Sequence, residues 1–77
     1  MLSEWLVIRR HKGNGVQYLQ TPASAFATSK WTSDVAYAAQ YPLQFFWSLK
    51  TWTKRLHGYN VCLLRGSAVY GITLRRL

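Results

Sequence analysis

Acidic residues are nearly absent from this chain. Glu4 and Asp34 are its only two, against ten lysines and arginines, for a net charge of +8. General acid–base chemistry usually draws on paired carboxylates or a carboxylate beside a histidine. Two isolated carboxylates, one of them (Asp34) placed to serve the start of a helix, give that chemistry little to work with. Cysteine is equally scarce: Cys62 stands alone, so no disulfide can close within the chain. With His11 and His57 as the only histidines, a cysteine–histidine metal cage is not expected either. Cys62 lies among Val61, Leu63 and Leu64, the setting of a buried, inert thiol and not of a nucleophile paired with His57. His11 reads as a solvated turn residue. Gly13 and Gly15 show no GxGxxG spacing and open no helix, so no phosphate cradle is expected there. Long apolar runs are missing too. The richest, Leu43 to Trp52, is broken by Gln44, Ser48, Lys50 and Thr51, far short of the ~20 apolar residues that span a bilayer. The opening MLSEWLVIRR has no basic leader. These absences predict a non-enzymatic protein with no cofactor, no metal and no membrane association. The lone thiol fits a reducing cytoplasm.

What is present is aromatic and basic. A chain of 77 residues makes one domain, and one of that size buries only about 60% of its unfolded surface. Without disulfide or metal it must rely on large side chains or on association. Four tryptophans, five tyrosines and three phenylalanines supply the first, each able to bury about 150–250 Å². The expectation is a monomer or a homodimer. A charge of this sign attracts anionic surfaces over about 8 Å at physiological salt.

Residues 4–10 and 15–20, rich in Val, Ile, Trp and Tyr, read as two strands of a hairpin. Asn14-Gly15 between them is a pair favoured in tight turns with positive φ. Val16 and Tyr18 share one strand face, Gln17 and Leu19 the other. Residues 21–32 read as a loop. Thr32 or Ser33 can cap a short helix over 33–40, with Asp34 at the positive end of its dipole. Pro42 suits the first position of a main helix over 42–57, ended by Gly58. Phe45, Phe46, Leu49, Trp52 and Leu56 form its apolar stripe. Residues 59–65 and 68–76 read as a second hairpin turning at Gly66-Ser67. The fold class is α+β: two hairpins packed against the main helix, one sheet face covered and the other partly open.

On the main helix Trp47, Lys50 and Lys54 fall together at spacings of three and four residues, away from the apolar stripe. An indole beside two ammonium groups suits stacking on a base while the lysines hold phosphates, or anchoring on an acidic protein surface. The alternative is that Trp47 folds over residues 21–32 as a rim residue of the core. Arg9 and Arg10 on the first hairpin, with Lys12 at its mouth, and Arg75 and Arg76 near the end add a diffuse positive field. Arg9 and Arg10 alternate, so they point to opposite sheet faces. An RNA-reading sheet built on Trp5, Tyr18 and Tyr70 would need a basic and aromatic signature that the chain does not contain.

In WLVIRR, then GNGVQYLQ, then WTSDVAYAA, the chain resembles short orphan proteins encoded by bacteriophages. Trp5, Val7, Ile8, Arg9, Gly15, Tyr18, Leu19, Trp31, Asp34 and Ala36 fall in the order of that pattern, over the first half of the chain. The second half departs from it, with an aromatic, basic helix and an extra hairpin where an Ala- and Glu-rich helix would be expected. The resemblance implies a phage protein acting in the host bacterial cytoplasm that blocks or redirects a host machine: RNA polymerase, a nuclease or a defence complex. Its positive charge forbids imitation of DNA, so the expected partner is an acidic host protein surface or nucleic acid itself. Three functions stay open: a regulator bound to a host machine, a direct nucleic-acid binder, and a small structural phage subunit that self-assembles.

Overall fold

Leu6, Val7 and Ile8 are consecutive and all essentially inaccessible to solvent. Successive strand residues point to opposite faces, so three in a row are buried only where both faces of a sheet are covered. The computed structural model, which describes residues 3–21, 30–54 and 59–71, shows how. Strand β1 (Glu4–Lys12) pairs antiparallel with β2 (Gly15–Leu19) on one side and β4 (Tyr59–Arg65) on the other. A short β3 (Trp31–Thr32) extends the sheet beyond β2, and β5 (Ala68–Gly71) extends it beyond β4. The order is β3-β2-β1-β4-β5. The class is mixed α+β, as the sequence predicts, but mostly sheet. The two hairpins are not separate units, because β1 joins them, from the Glu4–Arg65 pair to the Arg10–Tyr59 pair.

The first turn is displaced by one residue from its expected place. Lys12 pairs with Gly15, so the loop is Gly13-Asn14, with φ +60° at Gly13. Register explains it: the Arg9–Tyr18 pairing brings Leu19 alongside Ile8 in the core, and that burial outweighs the preference of Asn-Gly for the turn centre. The second turn is Gly66-Ser67 as expected, with φ +61° at Gly66. Each turn has positive φ only at its leading glycine, a conformation that suits the twist of the flanking strands.

The expected helix over 33–40 is a single 3-10 turn, Val35–Tyr37. Asp34 itself caps it, its Oδ1 accepting from the Ala36 N–H at 2.9 Å, while its own N–H donates to Thr32 Oγ1 at 3.1 Å. The chain leaves the turn because residues 39–41 have another use. Ala39 N–H donates to the Leu19 carbonyl, and Leu6 and Tyr41 exchange two backbone bonds of 2.7 and 2.9 Å. This stretch occupies the place beside β1 that β2 vacates after Leu19. It carries the chain from one sheet face, covered by Val35 and Ala38, to the other, covered by the main helix. Trp31 and Thr32, read as loop, are strand for a similar reason: they satisfy the outer edge of β2.

Pro42 is extended and precedes a 3-10 turn, Leu43–Phe45, which runs into helix α1 (Phe46–Lys54). Residues 55–58, with the expected helix end, Leu56 and the Gly58 cap, lie outside the described residues, as do residues 72–76 of the last expected strand. Of the apolar stripe, Leu49 is buried, and Phe46 and Trp52 pack against the core of Leu6, Ile8, Leu19 and Val61. Phe45 is exposed instead, because a 3-10 turn advances three residues per turn and rotates it off the α-helical stripe. Thr53 takes the inward position, its hydroxyl donating to the Lys50 carbonyl at 3.1 Å. On the opposite sheet face Val7, Tyr18, Cys62, Leu64 and Ala38 form a second core, flanked by Trp5, Val16, Val35 and Val69. Val16 and Tyr18 thus share a face, and Leu19 takes the other.

Candidate binding surface

Both acidic side chains are occupied inside the molecule. Glu4 Oε1 accepts from Arg65 Nη2 at 2.7 Å and from its Nε at 3.0 Å, a cross-strand pair at the sheet end. Asp34 caps its turn. Arg9, Arg10, Lys12, Lys30, Lys50 and Lys54 therefore have no carboxylate partner among the described residues. Arg10 is held inside the fold by Trp31 and Gln17; the charge of the other five is met by no described carboxylate.

Helix α1 gathers part of it. Trp47 is 67% exposed. Among the described residues its one aromatic neighbour is Phe46, in an edge-to-face arrangement at 5.3 Å between centroids and 73° between planes. Phe46 packs against the core, so it ties the indole to the fold while leaving it two-thirds exposed. Lys50 and Lys54 follow on the same helix flank at three and seven residues, the first half-buried, the second exposed. Leu43, in the preceding 3-10 turn, is 45% exposed. The outcome is a flank with an aromatic head (Trp47) and a cationic tail (Lys50, Lys54). Such a flank can lay a flat ring on a partner while ammonium groups meet its negative charges.

Of the other sequence-predicted residues, Arg9 and Arg10 do not join that flank. Arg10 lies on the helix-covered face, where its guanidinium sits 4.0 Å from the centroid of Trp31 and donates from Nε and Nη2 to Gln17 Oε1 at 3.1 and 2.8 Å. These contacts fix it in place. Arg9, one residue back, lies on the opposite face opposite Tyr18 and Asn60, and its Nε is buried with no hydrogen-bond partner. Arg75 and Arg76 lie outside the described residues. Trp31, which reads as loop in the sequence, reaches across the sheet to Tyr59, 4.9 Å between ring centroids, and Trp52 continues the row at 6.3 Å. No local sequence signal marks this row, because its members are brought together by strand order. Tyr18 is buried and Trp5 half-buried in the second core, and Tyr70 alone of that trio is well exposed, on edge strand β5.

Burial pushes the Cys62 thiol above its ordinary pKa, and the positive charges of Arg9 and Lys50 pull it partly back. It is therefore a neutral core group at physiological pH. Among the described residues no three of His, Cys, Asp and Glu gather where they could hold a metal ion, and no helix is long and apolar enough to cross a membrane. Protein-family models, curated proteins and solved structures give no match to the chain.

Proposed function

We propose that this chain is a small basic regulatory protein of bacteriophage type, without catalytic activity, that binds a host macromolecular machine and inhibits or redirects it by occupying a site. The machine is one that handles nucleic acid, in transcription or in defence, and acts in the host cytoplasm. The contact is an acidic protein surface met by Trp47, Lys50 and Lys54. One observation carries the reading: Trp47 is two-thirds exposed on the same helix flank as Lys50 and Lys54, which have no carboxylate partner among the described residues. Aromatic anchors ringed by charge are what binding hot spots are made of, and the surrounding field speeds encounter.

The test is affinity capture of bacterial lysate proteins by the full chain, with and without nuclease, beside Trp47→Ala. The reading expects a partner that nuclease does not release and that Trp47→Ala fails to retain. Retention unchanged by Trp47→Ala overturns it. Direct nucleic-acid binding is a second reading, favoured by six described cations without a carboxylate partner. It predicts gel retention of DNA or RNA at low salt, weakening with log salt by about 0.9 per phosphate contact on duplex DNA. Absence of retention at low salt removes it.

A further inference from the structure

Three arginines are described in full, and two have an internal acceptor: Arg65 holds Glu4, and Arg10 holds Gln17 beneath Trp31. Arg9 has none. Its side chain is half-buried, its Nε is withdrawn from water without a partner, and among the described residues its terminal nitrogens make no hydrogen bond or ion pair. Withholding an acceptor from a guanidinium donor is unfavourable, so no described residue accounts for this charge. It lies on the sheet face away from α1, directly between Tyr18 on β2 and Asn60 on β4. His11, two residues along β1, projects from the same face. Asn60 and His11 are both exposed. Opposed residues across a strand pair have Cα atoms about 4.5–5.5 Å apart, and residues two apart along a strand about 7 Å. Three donor-bearing side chains thus border one small patch, and both acidic side chains are engaged elsewhere.

We propose that Arg9, His11 and Asn60 form a phosphate-binding site on the sheet face opposite α1. A guanidinium fork matches two phosphate oxygens. The tetrahedral group leaves further oxygens for the Asn60 amide and an imidazole N–H, whereas a planar carboxylate is satisfied by the fork alone. The source is either free phosphate or the phosphodiester backbone of a nucleic acid. The site does not depend on the reading of Trp47, which lies on a helix covering the other face. If both hold, the protein meets a protein surface with one side and a phosphate with the other.

The test is an NMR titration of the full chain with inorganic phosphate, against chloride and acetate at equal ionic strength. The Arg9 Nε–H is a direct reporter. The expected result is saturable shifts at Arg9, His11 and Asn60 with phosphate alone, weakened about tenfold or more in Arg9→Gln and in Arg9→Lys. The second variant keeps the charge and removes the fork. A second arm measures single-stranded oligonucleotide binding by anisotropy. Loss of about 0.7 from its log–log salt slope in Arg9→Gln, the value of one contact on a single strand, assigns the site to a nucleic-acid phosphate. Phosphate shifts without that loss assign it to free phosphate. Trp47→Ala leaves the phosphate titration unchanged, so failure of the helix-flank reading is seen separately. Shifts equal to those of chloride, or equally strong with acetate, overturn the proposal.

Discussion

Replacing Trp47 by alanine separates a binding ring from a core ring. About one-third of the side chain is buried. For a ring of at most about 250 Å², that is roughly 80 Å², or about 2 kcal/mol at 25 cal/mol per Å². Compaction of the unfolded chain reduces the figure, and alanine's better helix propensity returns about 0.5 kcal/mol. The expected loss of stability is about 1 kcal/mol. Leu49, buried two residues on, supplies the internal reference, since Leu49→Ala should lose about 2–5 kcal/mol. Against a total of roughly 4–12 kcal/mol for a chain of this size, the first variant stays folded and the second is marginal. Binding should reverse the order. Covering the remaining two-thirds of the ring contributes at most about 4 kcal/mol, so Trp47→Ala should weaken the captured partner by roughly 30- to 700-fold. Urea unfolding of both variants and a titration of the partner measure the two quantities. A stability loss above about 3 kcal/mol for Trp47→Ala, or an unchanged affinity, would refute the reasoning.

The glycines of the first turn should separate cleanly. Gly13→Ala forces a side chain into a left-handed conformation, at about 1–2 kcal/mol, whereas Gly15→Ala meets only ordinary contact and should be neutral. Equal melting temperatures for the two variants would place the turn elsewhere. Burial raises the pKa of Cys62 in the folded state, so the folded chain holds that proton more tightly than the unfolded chain. This contribution is complete at neutral pH and declines as pH rises past the ionisation of a free thiol, about 8.5. Urea unfolding between pH 7 and 10 should show the decline, and Cys62→Ala should remove that part of it. A double-mutant cycle of Arg10→Met and Trp31→Leu should give a coupling of about 0.5–2 kcal/mol for the guanidinium over the indole. A value near zero would mean that Gln17 alone fixes Arg10.

Much of the local structure was legible because it rests on short-range rules. β-branched and aromatic runs marked β1, β2 and β4, a glycine-first pair marked the second turn, and the spacing of Phe46, Leu49 and Trp52 marked the inward side of α1. Trp47 stood apart from that stripe by helical geometry, and the alternation of Arg9 and Arg10 already separated their faces. The misreadings share one cause. The short helix over 33–40 has the residues of a helix start, yet residues 39–41 make backbone bonds to Leu19 and Leu6, and those bonds end it after one turn. Trp31 and Thr32 look like loop until β2 needs a neighbour.

The sequence by itself determined the sign of the charge, the poverty of catalytic groups, the single thiol and the period of each main element, since all of these are carried by composition or by neighbours along the chain. Only the tertiary structure decided which cations keep an unanswered charge. Arg65 finds Glu4 across 61 positions of sequence, Arg10 finds Trp31 through the order of the strands, and Arg9 finds no hydrogen-bond or ion-pair partner among the described residues. Pairing of that kind depends on distances between residues remote in sequence, which only a folded sheet sets.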